Sequence, residues 1–356
     1  MNRAPVLFRV DAALATGYES LYRCVTFAAA LQRRRRPAYF LSQLEPNSLA
    51  MMVKRGGNDW IAANSPAGTA DDLDDTIREV RRLQPAAVVV DSAVVTTDYL
   101  EALRQTGVLV MSIDTRAEVV FPSRIVVNPL LGPSREAYEY GCGTQLLLGQ
   151  RFAVIRPEIR RVRPLRSKEP VQPFRALVAL GDDDPNNRSA EMAKSLLNCP
   201  RVARVDVAVR PTHPELASLK ALAEQCPERL AILSEPGEVP SRLARCHFAV
   251  TAGNSWSLEL ACVGVPQLMI VQSEVHWPTA QRLEEEGAAT CLGWHDSVSA
   301  VTFRQAVNDL LSDALERQAM ARCGRKLIDG RGLDRLVTAL EVLLHKSPQA
   351  EMQIAA

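Results

Sequence analysis

Short apolar runs alternate with amphipathic segments along the first half of the chain. Runs that are apolar throughout are typical of strands buried on both faces of a parallel sheet, whereas apolar residues at every third or fourth position are typical of helices. We predict strands at residues 6–10, 38–41, 86–90, 108–113 and 125–127, and helices at 21–31, 71–83 and around 101–104. This alternation predicts a parallel sheet with helical crossovers.

The segment 156–174 interrupts the pattern, because it is rich in arginine and proline and has no apolar period. Proline disfavours regular structure and like charges repel, so we predict a linker here. The alternation then restarts, with strands predicted at 176–180, 205–209, 230–233, 248–251 and 267–271 and closing helices at 303–327 and 333–344. We therefore predict an α/β protein with two Rossmann-like domains, residues 1–155 and 175–356, that face each other across a cleft.

Composition and charge narrow the class of protein. The 356 residues carry 42 Lys+Arg against 41 Asp+Glu, and this near-neutral balance argues against a nucleic-acid partner. No run reaches the roughly 18 apolar residues of a membrane span, and the N-terminus lacks a signal-peptide pattern, so we expect a cytoplasmic protein.

Cofactor and metal motifs are also missing from the sequence. The eight cysteines include no CxxC pair, and the five histidines have no neighbour at metal-binding spacing. Neither a GxGxxG fingerprint nor a Walker loop occurs. We expect reduced thiols, no metal and no cofactor.

One glycine turn stands between a predicted strand and a predicted helix. Gly253, Asn254 and Ser255 follow the strand at 248–251 and precede a helix at 256–262. Free N–H groups and the helix dipole at such a turn favour a bound phosphate, which a glycine allows to approach. Glu259, one turn into the helix, could accept hydrogen bonds from ribose hydroxyls. The alternative is an ordinary turn capped by serine.

Two other polar segments follow predicted strands. Gly181 and three aspartates, with Asp183 in the middle, follow the strand at 176–180; capping and lining of the cleft are favoured over metal binding, because consecutive aspartates rarely converge on one ion. Asp11 and Ser20 follow the first strand and would face the cleft from the other domain, unless they only cap the turn. Of the five histidines, His276 is the best placed to reach the cleft.

Several short motifs occur in a fixed order along nearly the whole chain. They are Phe8-Arg9-Val10-Asp11-Ala12, Leu21-Tyr22-Arg23-Cys24, Val88-Val89-Val90-Asp91, Leu146-Leu147-Leu148-Gly149, Ile155-Arg156-Pro157-Glu158, residues 181–187, residues 252–259 with Gly264-Val265-Pro266, and Asp329-Gly330-Arg331-Gly332. In this order they resemble the UDP-sugar hydrolase family of the pseudaminic acid pathway, which removes UDP from a 2,4-diacetamido-2,4,6-trideoxy-β-L-altropyranose.

The resemblance implies a GT-B fold, related to the N-acetylglucosaminyltransferase of peptidoglycan synthesis. It implies that the turn at Gly253, Asn254 and Ser255 holds the UDP diphosphate and that Glu259 holds the ribose. It also implies that Asp11 lines the sugar side of the cleft.

Three positions depart from the pattern of that family. The family's Gly-His, whose histidine is the presumed base for water, is Glu19-Ser20 in this chain. The tyrosine two residues after the aspartate is Ala93, and an Asn-Gln pair is Val275-His276. The nucleotide side of the pattern is thus kept while the side that activates water has changed.

Water attack needs a proton acceptor within hydrogen-bond reach, and a serine hydroxyl cannot serve unaided. Glu19 or His276 could take this role beside Ser20 and Asp11. We expect a hydrolase-like protein that releases UDP from a UDP-activated amino sugar in nonulosonic acid or surface-glycan biosynthesis. The alternatives are a GT-B glycosyltransferase with the same donor and a catalytically inactive nucleotide-sugar binder; the sequence leaves the oligomeric state open.

Overall fold

The computed structural model describes residues 3–181, 184, 186–235 and 237–345. Its contacts divide the chain into two compact units. The first unit comprises the described residues of Met1–Val154 and of Arg331–Ala356, and the second comprises those of Ile155–Gly330. The chain therefore leaves the first unit once and returns to it at its end.

The first unit is built around a parallel sheet of seven strands. Its strands and helices up to residue 148 are β1 (Val6–Arg9), α1 (Glu19–Gln32), β2 (Ala38–Ser42), α2 (Ser48–Arg55), β3 (Asp59–Ala62), α3 (Ala70–Leu83), β4 (Ala87–Asp91), α4 (Thr97–Gln105), β5 (Leu109–Ile113), β6 (Val120–Phe121), β7 (Ile125–Asn128), β8 (Glu139–Tyr140) and β9 (Gln145–Leu148). The strand order is β3-β2-β1-β4-β5-β7-β9, and β6 and β8 form a separate two-stranded ladder. Val6 lies beside Ala38 on one side and Ala87 on the other.

The second unit has a parallel sheet of six strands, and the last helix then rejoins the first unit. The elements are α5 (Pro157–Arg160), β10 (Phe174–Ala179), α6 (Arg188–Leu197), β11 (Val202–Ala208), α7 (Leu216–Gln225), β12 (Leu230–Leu233), α8 (Val239–Leu243), β13 (Phe248–Thr251), α9 (Ser255–Val263), β14 (Gln267–Val271), α10 (Trp277–Glu285), β15 (Thr290–Trp294), α11 (Ala300–Ser312), α12 (Ala314–Leu327) and α13 (Gly332–His345). The strand order is β12-β11-β10-β13-β14-β15.

The two sheets share one topology. In each, the chain begins at a central strand, moves outward through two further strands, and then returns to the other side of the first strand. The order therefore reverses between β1 and β4 in the first unit and between β10 and β13 in the second. A crevice forms at the carboxyl ends of the strands where the order reverses, and this is where ligands bind in doubly wound sheets.

Successive residues along the strands of the first sheet point to opposite faces and contribute to two hydrophobic cores. Phe8 and Val89 pack on one face with α1 and α13, whereas Leu7 and Val88 pack on the other face with α3 and α4. Burial of both faces requires apolar residues at every position of a strand. This requirement explains why the apolar runs predicted these strands well.

Helix α9 of the second unit is enclosed by its neighbours. The eight residues from Trp256 to Val263 are all buried, as expected for a helix covered on every side. Helix α12 crosses it closely at Gly324, where an added Cβ would lie 3.0 Å from the backbone of Ala261. The turn at Gly253 therefore precedes a helix that is fixed by packing on all sides.

The predicted linker is wrong. Residues 156–174 contain α5 and a 3-10 turn at Arg163–Arg166, and Ile159, Val162 and Arg166 are buried. The arginines that suggested repulsion donate to carbonyl oxygens at helix ends: Arg163 to those of Cys262 and Ile328, and Arg166 to those of Leu243 and Gly264. Carbonyl groups at a helix C-terminus carry partial negative charge, so they compensate guanidinium groups.

The predicted boundary of the second domain and one predicted helix also differ from the structure. Helix α13 packs on α1 of the first unit rather than closing the second. The helix predicted at 303–327 is two helices, because the Asp313 side chain accepts a hydrogen bond from the Glu316 N–H and caps a new start. Strands β3, β9 and β15 were not predicted, because none of their residues is buried. The edge strand β12, which was predicted, keeps two buried leucines.

The start of α13 generates a prediction about the first unit. A Cβ at Gly332 would lie 2.2 Å from the Ala153 carbonyl oxygen and 2.6 Å from the Phe152 carbonyl carbon, so backbone would have to move. We expect Gly332→Ala to lower the free energy of unfolding by about 2–3 kcal/mol, as overpacking does. Urea unfolding followed by circular dichroism measures it.

The matched control is Gly237→Ala, where an added Cβ meets nothing within 4 Å. That variant should stay within about 0.5 kcal/mol of the unchanged protein. Equal stability of the Gly332 and Gly237 variants would refute the close packing of α13.

Candidate functional site

Polar side chains tie together three strand ends at the carboxyl edge of the second sheet. Asn254, after β13, donates from Nδ2 to the Leu180 carbonyl oxygen after β10 at 3.0 Å. Asn186 donates from Nδ2 to Gln272 Oε1, after β14, at 3.2 Å. These bonds hold the turns on both sides of the strand-order reversal, and the predicted residues Gly181 and Asn254 come together there.

The turn at Gly253 is shaped by close packing. Gly253 has a φ of +77°, and a Cβ there would lie 2.8 Å from the carbonyl oxygen of His276. Its N–H donates to Ser257 Oγ at 3.0 Å. Only glycine fits this contact without strain, and its amide is engaged within the protein. The Gly253 amide thus donates within the protein, while the assignment of a phosphate to the turn of Gly253, Asn254 and Ser255 stays a prediction.

Six buried polar atoms at this edge have no hydrogen-bond partner within the part of the chain that the structure describes. They are Arg188 Nε and Nη2, Ser189 Oγ, Thr212 Oγ1, Asn254 Oδ1 and Gln272 Nε2. All follow the carboxyl ends of the adjacent strands β11, β10, β13 and β14. Buried polar atoms are normally paired, so such a set at one place is typical of a site that a ligand or ordered water completes.

Five of the six atoms can donate a hydrogen bond, which favours an anion, whereas Asn254 Oδ1 only accepts. The guanidinium of Arg188 and the amide of Gln272 are donors, and the two hydroxyl groups can donate as well. Arg188 also pairs with Glu191 through Nη1 at 2.7 Å, so its charge is partly compensated. A group with several acceptor oxygens, such as a diphosphate, would satisfy such donors with charge-assisted bonds.

The aspartate segment after β10 caps a helix. The carboxylate of Asp184, buried at 3 % exposure, accepts from the backbone N–H groups of Arg188 at 3.1 Å and Ser189 at 2.7 Å. It thereby fixes the start of α6, which carries three of the six unpaired atoms. Gly181 is buried beside Leu180, and Asp183 lies outside the described residues.

Glu259 is engaged by an arginine. Its carboxylate accepts from the backbone N–H of Arg156 at 3.0 Å and from Arg156 Nε at 2.8 Å, and it also accepts from Nη2. Arg156 stacks on Trp256, with 4.3 Å from Cζ to the ring centroid. The predicted ribose acceptor is therefore an internal ion pair that joins the start of the second unit to α9.

Asp11 in the first unit is likewise engaged. Its carboxylate pairs with the guanidinium of Arg9 and accepts from the N–H groups of Gln43 at 2.7 Å and Ala67 at 3.0 Å. Burial disfavours the charge on Arg9, but hydrogen bonds and attraction to Asp11 and Asp72 outweigh it and raise the pKa of Arg9. Asp11 therefore joins three loops, and its predicted catalytic role has no free oxygen to support it.

Glu19 and Ser20 begin α1, beside the strand-order reversal of the first sheet. Arg23 donates to Asp91 through Nε at 2.9 Å and Nη2 at 2.8 Å, and Nη2 also donates to Ser20 Oγ at 3.1 Å. Burial and the Asp91 carboxylate raise the pKa of the Cys24 thiol well above its usual value, so this thiol stays protonated. Glu19 is half-buried near Arg23, which attracts its charge.

Sequence reasoning missed Arg188, Ser189, Thr212 and Gln272. Each follows the carboxyl end of a strand near the strand-order reversal, so their position was readable once the strands were placed. They were passed over because none forms a glycine turn or a motif.

The described residues contain neither a metal-binding cluster nor a helix that could span a membrane. Within residues 3–181, 184, 186–235 and 237–345, no group of three or more His, Cys, Asp or Glu side chains is arranged to hold a metal ion. No helix of that part of the chain combines the length and apolar character that a membrane crossing requires.

Solved structures with a similar fold include glycosyltransferases of the GT-B type and a putative UDP-N-acetylglucosamine 2-epimerase of Listeria monocytogenes, with a TM-score of 0.58 and 11 % identity. The similar structures include MurG of Acinetobacter baumannii, with a TM-score of 0.63 and 14 % identity over 95 % of this chain and 99 % of that one. The forosaminyltransferase SpnP has a TM-score of 0.64 and 16 % identity over 96 % and 99 %. VinC in complex with dTDP has a TM-score of 0.64 and 15 % identity over 96 % and 100 %. This chain therefore has the GT-B fold, with two Rossmann-like units.

The sequence is also similar to that of a polysaccharide biosynthesis protein. SpsG, a spore coat polysaccharide biosynthesis protein of Bacillus subtilis, is 23 % identical over 224 residues, which are 62 % of this chain and 65 % of SpsG. The match thus covers less than two thirds of that relative. No protein-family profile matches the chain.

The Arg156–Glu259 pair generates a prediction about stability. The two side chains are 12 % and 5 % exposed, and removing one partner takes away the close opposite charge of the other. We expect Glu259→Ala and Arg156→Ala each to lower the free energy of unfolding by about 3 kcal/mol. The double variant should lose clearly less than the sum. Urea denaturation of all four proteins measures the coupling.

The control cycle uses Arg282 and Glu285, an exposed pair on α10 of the same unit. Its coupling should not exceed about 0.5 kcal/mol. Additive effects at Arg156 and Glu259 would show that the carboxylate is available for another role.

Proposed function

We propose that this chain is a GT-B glycosyltransferase that uses a nucleoside diphosphate sugar in polysaccharide biosynthesis. The observation that carries the proposal is the set of unpaired buried polar atoms at the carboxyl edge of the second sheet. The strand order reverses at that edge, where α/β sheets bind nucleotides. Donors that follow three strand ends, those of β10, β11 and β14, would there surround a diphosphate.

The similar proteins support the same chemistry. VinC was solved with dTDP, and SpnP and MurG carry the GT-B fold. SpsG takes part in making a spore coat polysaccharide. We propose a UDP-activated amino sugar as the donor, on the resemblance of the motifs to the UDP-sugar hydrolase family.

Hydrolysis of that donor is the second candidate. It is favoured by Glu19, a half-buried carboxylate at the start of α1, at the position before the serine that replaces the family's histidine. Glu19 and His276 remain proposed proton acceptors. Asp11 is a weaker candidate, because its carboxylate is held by Arg9 and two backbone amides.

Nucleotide affinity tests the proposed binding site. We expect UDP to bind, and Arg188→Ala and Gln272→Leu each to weaken its affinity by about 10- to 100-fold. The reason is that each variant removes donors that would reach the diphosphate, and hydrogen bonds to charged groups are worth about 1.5–3 kcal/mol. Isothermal titration calorimetry with UDP, UDP-N-acetylglucosamine and dTDP measures this.

The matched control is Arg304→Ala, which removes an exposed arginine of α11. Its affinity for UDP should stay within about twofold of the unchanged protein. If none of the three nucleotides binds, or if all variants bind alike, the site is not a nucleotide site.

Dependence of UDP release on an acceptor separates transfer from hydrolysis. For a transferase, UDP release from UDP-N-acetylglucosamine or a UDP-diacetamido sugar depends on an added mono- or disaccharide acceptor. Release with water alone, falling at least tenfold in Glu19→Gln or His276→Ala, would instead support the hydrolase. Nucleotide binding without release under any acceptor would contradict both activities. A coupled assay for free UDP measures the rate.

A further inference from the structure

A cavity of about 450 Å³ lies at the opposite edge of the second sheet. His247 and Pro266 line it, and each directly precedes a strand, β13 and β14 respectively. The cavity therefore adjoins the amino ends of the strands, away from the edge where the six unpaired atoms lie. Its volume is within the range of small-molecule sites, about 300–1,000 Å³.

The cavity is lined by an excess of positive charge. The lining contains five cationic side chains and one carboxylate, which is an excess of four positive charges. The cations are Arg166, Lys168, Arg317, Arg322 and Arg325, and the carboxylate is Glu169. Glu169 is already paired with Arg317. The remaining four cations have no carboxylate partner in the lining.

Arg166 is the most buried of the four cations that have no ion pair in the lining. It is 6 % exposed, and its Nε has no hydrogen-bond partner within the described part of the chain. Its Nη1 donates to the carbonyl oxygens of Leu243 and Cys246 and its Nη2 to that of Gly264, which offer partial charges only. Burial lowers the pKa of Arg166, and Arg325 adds to this shift, whereas Cys246 and Glu169 oppose it. A buried, incompletely satisfied guanidinium is costly unless an anion compensates it.

Helix capping does not account for the whole cluster. Arg325 donates to the carbonyl oxygens of Arg163 and Val263 and has a structural role. Lys168 and Arg322 are exposed at the rim and make no hydrogen bond or ion pair with any residue that the structure describes. Like charges gathered without partners repel one another, unless a ligand supplies the opposite charge.

We propose that this cavity binds a small molecule through a phosphate group, at a site separate from the nucleotide edge. The phosphate would accept hydrogen bonds from Arg166 Nε at the base of the cavity and from Lys168 and Arg322 at its rim. A multiply charged phosphate matches the excess charge better than a single carboxylate does. Guanidinium groups suit its geometry because they can donate two parallel bonds.

The test titrates inorganic pyrophosphate into the full chain by calorimetry, in a buffer that holds chloride as its only other anion. Pyrophosphate can also bind at the nucleotide edge, so the cavity variant Lys168→Ala/Arg322→Ala is compared with the unchanged cavity in the background Arg188→Ala/Gln272→Leu. We expect it to weaken binding at least tenfold there. The control Lys220→Ala/Arg304→Ala removes two exposed cations of the same unit outside the cavity, and it should bind as the unchanged protein does. Unchanged affinity in the cavity variant, or no binding by the unchanged protein, would overturn the proposal.

Two further arms separate the sites and the source of the phosphate. Pyrophosphate titrated into Arg188→Ala/Gln272→Leu should still bind in the cavity. The cavity variant should in turn keep its affinity for UDP. Loss of either binding would contradict the proposal of two separate sites. Co-sedimentation with phosphatidic acid vesicles, but not with phosphatidylcholine vesicles, that is lost in the cavity variant would identify a lipid headgroup as the source. Binding of pyrophosphate alone would identify a soluble phosphate.

Discussion

Burial of a polar atom without a partner costs free energy, and the pairing of charged side chains in this chain avoids that cost at most buried positions. The described residues satisfy most of their buried charges internally: Arg9 with Asp11, Arg23 with Asp91, and Arg156 with Glu259. Against that background, six unpaired atoms at one edge of one sheet are an exception. A folded chain tolerates such an exception where a ligand will complete the bonds.

The topology explains why the exception lies at that edge. All strands of each sheet are parallel, so their carboxyl ends meet on one side, and the strand order reverses beside β1 and β10. At these reversals, loops diverge and leave room. The second unit places donors from α6 and from the ends of β11 and β14 around one such crevice. The first unit places Glu19, Ser20 and the Arg23–Asp91 pair at the other.

Most of the fold could be predicted from the sequence, because strands buried on both faces are apolar throughout. Strands β3, β9 and β15 were not predicted, because strands without buried residues do not need an apolar residue at every position. The site was predicted only in part. The turn at Gly253 was found, but Glu259 and Asp11 were assigned to substrate, because sequence reasoning did not show that Arg156, 103 positions from Glu259, and Arg9 engage them. The arginines at 156–174 misled in the same way, since their partners are carbonyl groups of distant helices.

A crystal structure of the chain with UDP would show whether the unpaired donors bind the diphosphate. We expect phosphate oxygens within about 2.7–3.2 Å of Gln272 Nε2 and the Arg188 guanidinium, with the nucleotide at the carboxyl ends of β10 and β13. UDP bound elsewhere, with those donors still unpaired, would contradict it.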